Sequence, residues 1–291
     1  MTRVDGAWDT AAMNYRHAYH AGNHADVLKH VVLLALIDAL ERKDAPFMVL
    51  DTHAGRGRYA LHDQAARKTG EADTGVARIL GAHADAVAIR RYQDAIRACN
   101  PDGGLRIYPG SPLLAAMAMR ADDRLVCRET QHEEAKALAT LFERDRRVHV
   151  LEGDGYAAIK ALLPPKPRRG LVLIDPPYET QEAEFGAALE GLKEGLQRWP
   201  QGTYALWFPI KERRSLQRFL RAVQRLPAKD ILLAELLVRP DDSPLRLNGS
   251  GMLVLNPTWK LDEEIAAALP VLAAELGEAG ASHRLEWLKR E

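Results

Sequence analysis

Short apolar runs alternate along this chain with longer stretches of helical period, and that alternation leaves few folds open. The runs fall at residues 47–50, 125–127, 148–151, 171–174 and 204–208. Each is too short for a helix and is bounded by turn residues, the pattern of a strand buried on both faces. Between and around them the apolar spacing predicts helices over 25–42, 111–120, 133–142, 157–163, 182–198 and 215–226. Strands that alternate with helices predict an α/β fold with a parallel, doubly wound sheet. Two late runs, 231–238 and 252–255, have only the polar loop 239–250 between them. They predict an antiparallel hairpin at one edge of the sheet. The segment 59–107 is rich in Ala and Arg, shows no convincing strand, and is expected to be a helical insert after the first strand. Residues 1–12 show no clear period and read as a leader or extended start, with the domain proper over 13–291.

The parallel sheet matters because open α/β sheets bind ligands at the carboxyl ends of their strands. Four of the predicted strands end in residues suited to that task. The first runs into Asp51-Thr52-His53-Ala54-Gly55-Arg56-Gly57. Glycines there allow close backbone approach to a ligand, although the spacing is neither the dinucleotide fingerprint nor a phosphate-binding P-loop. The second ends at Glu129, placed to accept both hydroxyls of a ribose. The third ends at Asp154-Gly155, where a side chain and a backbone N–H can hold an adenine edge. The fourth ends in Asp175-Pro176-Pro177-Tyr178. A carboxylate accepts one N–H of an exocyclic amine, two prolines stiffen the backbone and leave carbonyls free to accept the other, and an aromatic ring offers a stacking face. Each motif alone has a plain structural reading as a turn or strand end. Their order along successive strands matches a methyltransferase that uses S-adenosylmethionine and acts on an amine.

Composition narrows the partners. Lys plus Arg and Asp plus Glu both number 40, so the net charge is zero, and nucleic-acid contact must come from local patches. Candidates are Arg56, Arg58, the stretch Lys166-Pro167-Arg168-Arg169 and the stretch Lys211-Glu212-Arg213-Arg214. Only Cys99 and Cys127 occur, which predicts a reducing, cytoplasmic setting with no disulfide framework. No apolar run is long enough to span a bilayer and no secretory signal is visible. His20 and His24 stand at helical spacing, but without a His-Glu-x-x-His motif or a Cys pair no metal is expected.

The head Tyr15-Arg16-His17-Ala18-Tyr19-His20-Ala21-Gly22-Asn23-His24-Ala25-Asp26-Val27-Leu28-Lys29-His30 resembles the start of the RlmJ family of bacterial 23S ribosomal RNA adenine-N6 methyltransferases. So do residues 50–55, 108–112, 173–178 and 204–207, and the late Gly251-Met252 and Asn256-Pro257-Thr258-Trp259-Lys260. The resemblance covers nearly all of the chain from Met13 onward. It implies a Rossmann-like class I methyltransferase fold with S-adenosylmethionine as cofactor and 23S rRNA as partner; a monomer is expected. Carried over by motif, it implies cofactor contacts from His30, His53, Ser111, Glu129, Asp154 and Gly155. Asp175 would be the catalytic acceptor, with Pro176 and Tyr178 beside it. Tyr15, His17 and Lys29 would meet the RNA.

On this reading Asp175 and the Pro176 carbonyl accept the two amine N–H bonds, Tyr178 stacks on the extruded base, and the nitrogen lone pair faces the methyl group. Three rivals stay open. A DNA adenine or cytosine-N4 methylase shares the tetrapeptide. A protein glutamine methylase usually has Asn where this chain has Asp175. A non-catalytic RNA-binding protein need not keep the full set.

Overall fold

The computed structural model describes residues 20–62, 70–178, 180–211, 213–243 and 247–291. Expectations for residues 1–19, which include Tyr15 and His17, lie outside the described residues. Ten strands and ten helices follow one another among those described.

Helix α1 (His24–Glu41) opens the domain. Asn23 caps it, its side chain accepting from the amides of Ala25 and Asp26 at 3.0 Å each. From Ala25 to Ile37 every residue is buried, so the helix is apolar almost all round. That is the composition of an element enclosed by others rather than lying on a surface. Strand β1 (Met48–Asp51) follows, then β2 (Arg58–Ala60), α2 (Glu71–Thr74), α3 (Val76–Gly81), α4 (Val87–Ala98) and β3 (Ile107–Pro109). Strands β2 and β3 pair antiparallel and bracket the three helices, so the segment read as strandless has a short ribbon at its base. The Rossmann-like part resumes with α5 (Ser111–Ala118), β4 (Arg124–Glu129), α6 (His132–Leu141), β5 (Val148–Glu152), α7 (Gly155–Leu162), β6 (Gly170–Ile174), α8 (Gln181–Arg198), β7 (Thr203–Ile210) and α9 (Arg213–Val223). Strands β8 (Ile231–Leu237) and β9 (Gly249–Leu255), helix α10 (Leu261–Leu276) and β10 (Ser282–Lys289) complete the chain.

The main sheet has eight strands in the order β10-β8-β9-β7-β6-β1-β4-β5. Strands β5, β4, β1, β6 and β7 are parallel, and β9, β8 and β10 extend the sheet antiparallel beyond β7. This is the α/β, Rossmann-like class I methyltransferase topology, with the strand order reversing between β1 and β6. The predicted hairpin forms, but not at an edge: β9 slots between β7 and β8, and β10 closes the outside. Strand β10 is half exposed and charged, which hid it from a search for apolar runs. Helix α10 also lacked a sequence assignment. Its buried Leu261, Ile265, Ala268, Leu269, Leu272 and Leu276 lie at helical spacing despite Pro270 in its interior.

Two cores flank the sheet. Helices α1, α5 and α10 and the insert share one, and α7, α8 and α9 cover the other. The insert docks on the head of α1. Val76 N–H donates to Gly22 C=O at 2.8 Å. A Cβ on Gly75 would stand 2.0 Å from that same carbonyl oxygen, so no side chain fits there. Glu71 adds bonds to His20 Nδ1 at 2.8 Å and from Asn23 Nδ2 at 2.9 Å. Among the described residues no helix is long and apolar enough to cross a membrane.

Candidate active site

A cavity of about 280 Å³ opens where the strand order reverses, over the carboxyl ends of β1, β6 and β7. The head and α1 form its other wall through His20, Asn23, Asp26, Lys29 and His30.

At the end of β1 the chain turns through Gly55, which has φ +60° and whose added Cβ would strike the Tyr59 hydroxyl. Only glycine adopts that turn without strain under that ring. Glu129, at the end of β4, holds the turn. Its Oε2 accepts from Gly55 N–H at 2.8 Å and its Oε1 from Gln131 N–H at 2.7 Å. Each oxygen keeps a second lone pair for a ligand hydroxyl. Ser111, at the start of α5, donates to Asp51 Oδ2 at 2.6 Å. Asp51 is 1% exposed, and burial, aided by the charge of Asp175, pushes its carboxyl up to about 7 against the opposing Ser111 bond. His53 is lowered to about 4 by burial, which outweighs Asp175 and Asp154, so its ring is neutral at pH 7. Thr52 Oγ1 donates to Leu173 C=O at 2.9 Å and lies 2.8 Å from His53 Nδ1. A hydroxyl has one proton, so Nδ1 is the donor in that pair and Nε2 the acceptor. His30 is 1% exposed, with Nδ1 2.7 Å from the Tyr108 hydroxyl.

Asp175 stands at the tip of β6. Its Oδ2 accepts from Lys29 Nζ, which also lies 2.9 Å from Asp26 Oδ1. The side chains of Lys29, Asp26 and Asp175 are 5%, 2% and 15% exposed. Burial alone would lower the lysine pKa, but the two carboxylates outweigh it and raise it above the ordinary ammonium range. Lys29 is therefore charged and held inward. The sequence leads to the expectation that Lys29 meets RNA; in the structure its ammonium lines the cavity and is committed to two carboxylates. The signal was present in the sequence, because Asp26 and Lys29 are the two formally charged residues within an otherwise apolar helical run, one turn apart.

The rest of the tetrapeptide is anchored to β7. Tyr178 donates its hydroxyl to Trp207 C=O at 2.8 Å, and its ring meets Phe185 and Trp207 edge to face at 5.5 and 5.6 Å. Lys211 Nζ donates to Tyr178 C=O at 3.1 Å. Tyr178 is 7% exposed, so most of its ring is spent on packing and little remains to stack on a base. Pro176 is buried and Pro177 exposed, and both line the cavity.

The structure thus brings together His30, His53, Ser111, Glu129, Asp175, Pro176, Tyr178 and Lys29. It does not bring Asp154 and Gly155 into the same cavity. Asp154 caps α7, accepting from Tyr156 N–H at 2.9 Å, and Gly155 packs so tightly on β1 that a Cβ would lie 2.0 Å from Thr52 C=O. Asp26 and Trp207 are cavity residues that sequence reading left without a role, and Lys211, read as a candidate RNA contact, lines the cavity and is spent on the Tyr178 carbonyl. Several basic candidates are spent on structure. Arg56 pairs through Nε and Nη2 with Glu134, and Arg213 pairs with Glu235 and Asp241. Arg169 donates to the carbonyls of Leu40 and Ala45. No group of three or more His, Cys, Asp or Glu that could hold a metal ion occurs among the described residues.

A family profile described as "Ribosomal RNA large subunit methyltransferase D, RlmJ" matches residues 44–289. The Escherichia coli (strain K12) protein named ribosomal RNA large subunit methyltransferase J is 41% identical over 280 residues, covering 96% of this chain and 100% of that one. Its Haemophilus influenzae namesake is 40% identical over 281 residues with the same coverage. The crystal structure of a Legionella pneumophila protein superposes with a TM-score of 0.84 at 30% identity, covering 92% of this chain and 98% of that one. On these matches the chain belongs to the RlmJ family of ribosomal RNA large subunit methyltransferases.

Proposed function

We propose that this chain methylates N6 of an adenine in 23S ribosomal RNA, with S-adenosylmethionine as the methyl donor. Family membership supports methyl transfer to large-subunit rRNA; the donor and the target atom rest on the site. The observation that carries the reading is the Asp175 carboxyl group at the end of β6, held by the buried Lys29, which also pairs with Asp26, within the cavity.

The residues fit the donor. Glu129 has lone pairs for ribose hydroxyls. Gly55 lets the backbone come close, and neutral His53 and the Asp51–Ser111 pair line the wall. Asp154 sits at the next strand end, outside the cavity, and we assign it the adenine edge from that position. When bound, S-adenosylmethionine supplies an activated methyl group.

The chain's own residues supply the rest. An adenine amine is a poor nucleophile because its lone pair is delocalised into the ring. Lys29 occupies Asp175 Oδ2, and we assign Oδ1 to the amine. An N–H bond to that oxygen strengthens as positive charge develops on nitrogen, so its effect falls on turnover. Tyr178 and Lys211 fix the tetrapeptide backbone to β7, which holds Asp175 within the tolerance that aligned transfer needs. The target base must reach the cavity unpaired, since RNA bases are read from loops and splayed ends.

Single-turnover transfer of labelled methyl groups to protein-free 23S rRNA and to DNA, followed by nucleoside analysis, tests the reading. Asp175→Asn should cost on the order of a hundredfold in rate, the scale of losing one preorganised electrostatic partner. Wild-type transfer by that variant, or label appearing in DNA and not in rRNA, would overturn it.

A further inference from the structure

The chain has no net charge, yet residues 213–229 contain six basic residues and no acidic one. Arg214, Arg218 and Arg221 follow one another at steps of four and three, which puts them on one face of α9, and Arg225 comes four residues later, in the turn after the helix ends at Val223. All four are exposed. Arg218 is 70% exposed, and its ion-pair contact is a long one, 3.7 Å to the equally exposed Glu182. Arg213 does not share in this: it turns inward to Glu235 and Asp241 and fixes the start of the helix.

The opposite face of α9 is sealed. Leu216, Phe219, Leu220 and Val223 are at most 7% exposed and belong to the core beneath. A basic helix that docks on lipid needs its apolar face available, and this one has spent it. What remains is a row of guanidinium groups that spans about 10 Å at helical rise from Arg214 to Arg221 and continues to Arg225 in the turn beyond. At duplex spacing along one strand the helical part corresponds to about three nucleotides. The row starts three residues after Lys211, which lines the cavity and holds the Tyr178 carbonyl.

We propose that Arg214, Arg218, Arg221 and Arg225 form the track for the sugar–phosphate backbone of the RNA whose target nucleotide enters the cavity. The inference rests on the RNA reading above. It adds a surface on the β7 side of the site.

The test compares the parent protein with a variant carrying Arg→Gln at all four positions and a second carrying Arg→Lys. Binding to protein-free 23S rRNA is measured from roughly 50 to 200 mM salt, the range over which phosphate contacts show. The Gln variant should bind more weakly, with a log–log salt slope shallower by roughly 3 to 4 if the backbone is duplex and about 3 if it is single-stranded. The Lys variant should keep the parent slope. With the Gln variant, KM for rRNA should rise while kcat at saturating RNA stays within about twofold, the pattern of lost uniform binding. Melting temperatures should agree, because the substituted groups are exposed. Parent affinity and slope in the Gln variant would overturn the proposal. So would binding of the parent to phosphatidylserine vesicles in preference to RNA. If the parent transfers no methyl group to rRNA yet the Gln variant loses slope, the enzymatic reading fails and the RNA surface stands. If the parent methylates rRNA and the slope is unchanged, the surface fails alone.

Discussion

Replacing Lys29 by Met tests the electrostatic core of the site. Methionine follows the lysine stem closely, so packing around it changes little, while the charge disappears. Asp26 and Asp175, 2% and 15% exposed, are then left facing a site with no counter-ion. Breaking a buried pair by removing one partner costs about 3–5 kcal/mol, because the other charge stays buried. Here two carboxylates are stranded, but Asp175 retains some contact with water, so about 3 kcal/mol is expected. At about 2–4 °C per kcal/mol, the midpoint should fall by roughly 10 °C. Asp26→Asn in the same background removes one stranded charge and keeps an oxygen for Gly22 N–H, which donates to Asp26 at 2.9 Å in the parent. It should recover at least half of the lost stability. It should not recover rate: single-turnover transfer should fall tenfold or more in both variants, because Asp175 has lost the group that steadies it. Thermal melts and rapid-quench transfer on the same preparations separate the two effects. A Lys29→Met protein that melts with the parent, or an Asp26→Asn partner change that restores nothing, would refute the reasoning.

Glu129→Gln leaves one oxygen for two backbone amides and the ligand, so S-adenosylmethionine should bind more weakly by about 1–3 kcal/mol in calorimetry; parent affinity would remove Glu129 from the site. Gly155→Ala forces a methyl group against Thr52 C=O, and overpacking of that kind should cost about 1–3 kcal/mol in urea melts. His53 has a folded pKa of about 4 against 6.5 in the unfolded chain, so the unfolded state takes up a proton that the fold refuses, and stability is lost as pH falls through that window. His53→Gln should therefore gain on the parent by up to about 3 kcal/mol between pH 7 and pH 4.5; a difference independent of pH would mean that the ring is not buried neutral.

Much of this architecture is written in local pattern. Strands β1, β6 and β7 and the middle of β4 are apolar and buried on both faces, as a parallel sheet covered by helices demands, whereas β5 at the edge leaves His149 and Leu151 exposed. The same logic fails for β10, whose exposed Ser282, His283 and Arg284 carry no apolar signal; it exists because β8 offers it a free edge. The position of β9 was also hidden. Adjacent runs suggest adjacent strands, and only the pairing of Tyr204 to Ile210 with Leu255 to Gly249 draws β9 inward to β7. Within the site, residues at strand ends were legible because topology alone puts them at the cavity. For Lys29 the apolar run around it and Asp26 hinted at burial, but its partner Asp175, 146 residues away, could not be read from the sequence. Tyr178 shows the converse: its aromatic character was plain, but the Trp207 carbonyl that claims its hydroxyl was not.

Helix α1 is made early, at residues 24–41, yet it packs on β9, made at residues 249–255, and on α10 after it. A chain emerging from the ribosome carries this almost wholly apolar helix for more than two hundred residues before its cover, begun by the insert and α5, is complete. The same delay applies to Asp26 and Lys29, which wait for β6, and to Trp207, whose strand has no outer neighbour until β9 arrives. Activity is therefore a property of the nearly finished chain. Loss of the last forty-odd residues would trim nothing from the cavity wall by sequence, but it would strip β9, α10 and β10 from the fold and return α1 to water, producing a sticky nascent chain rather than a slower enzyme.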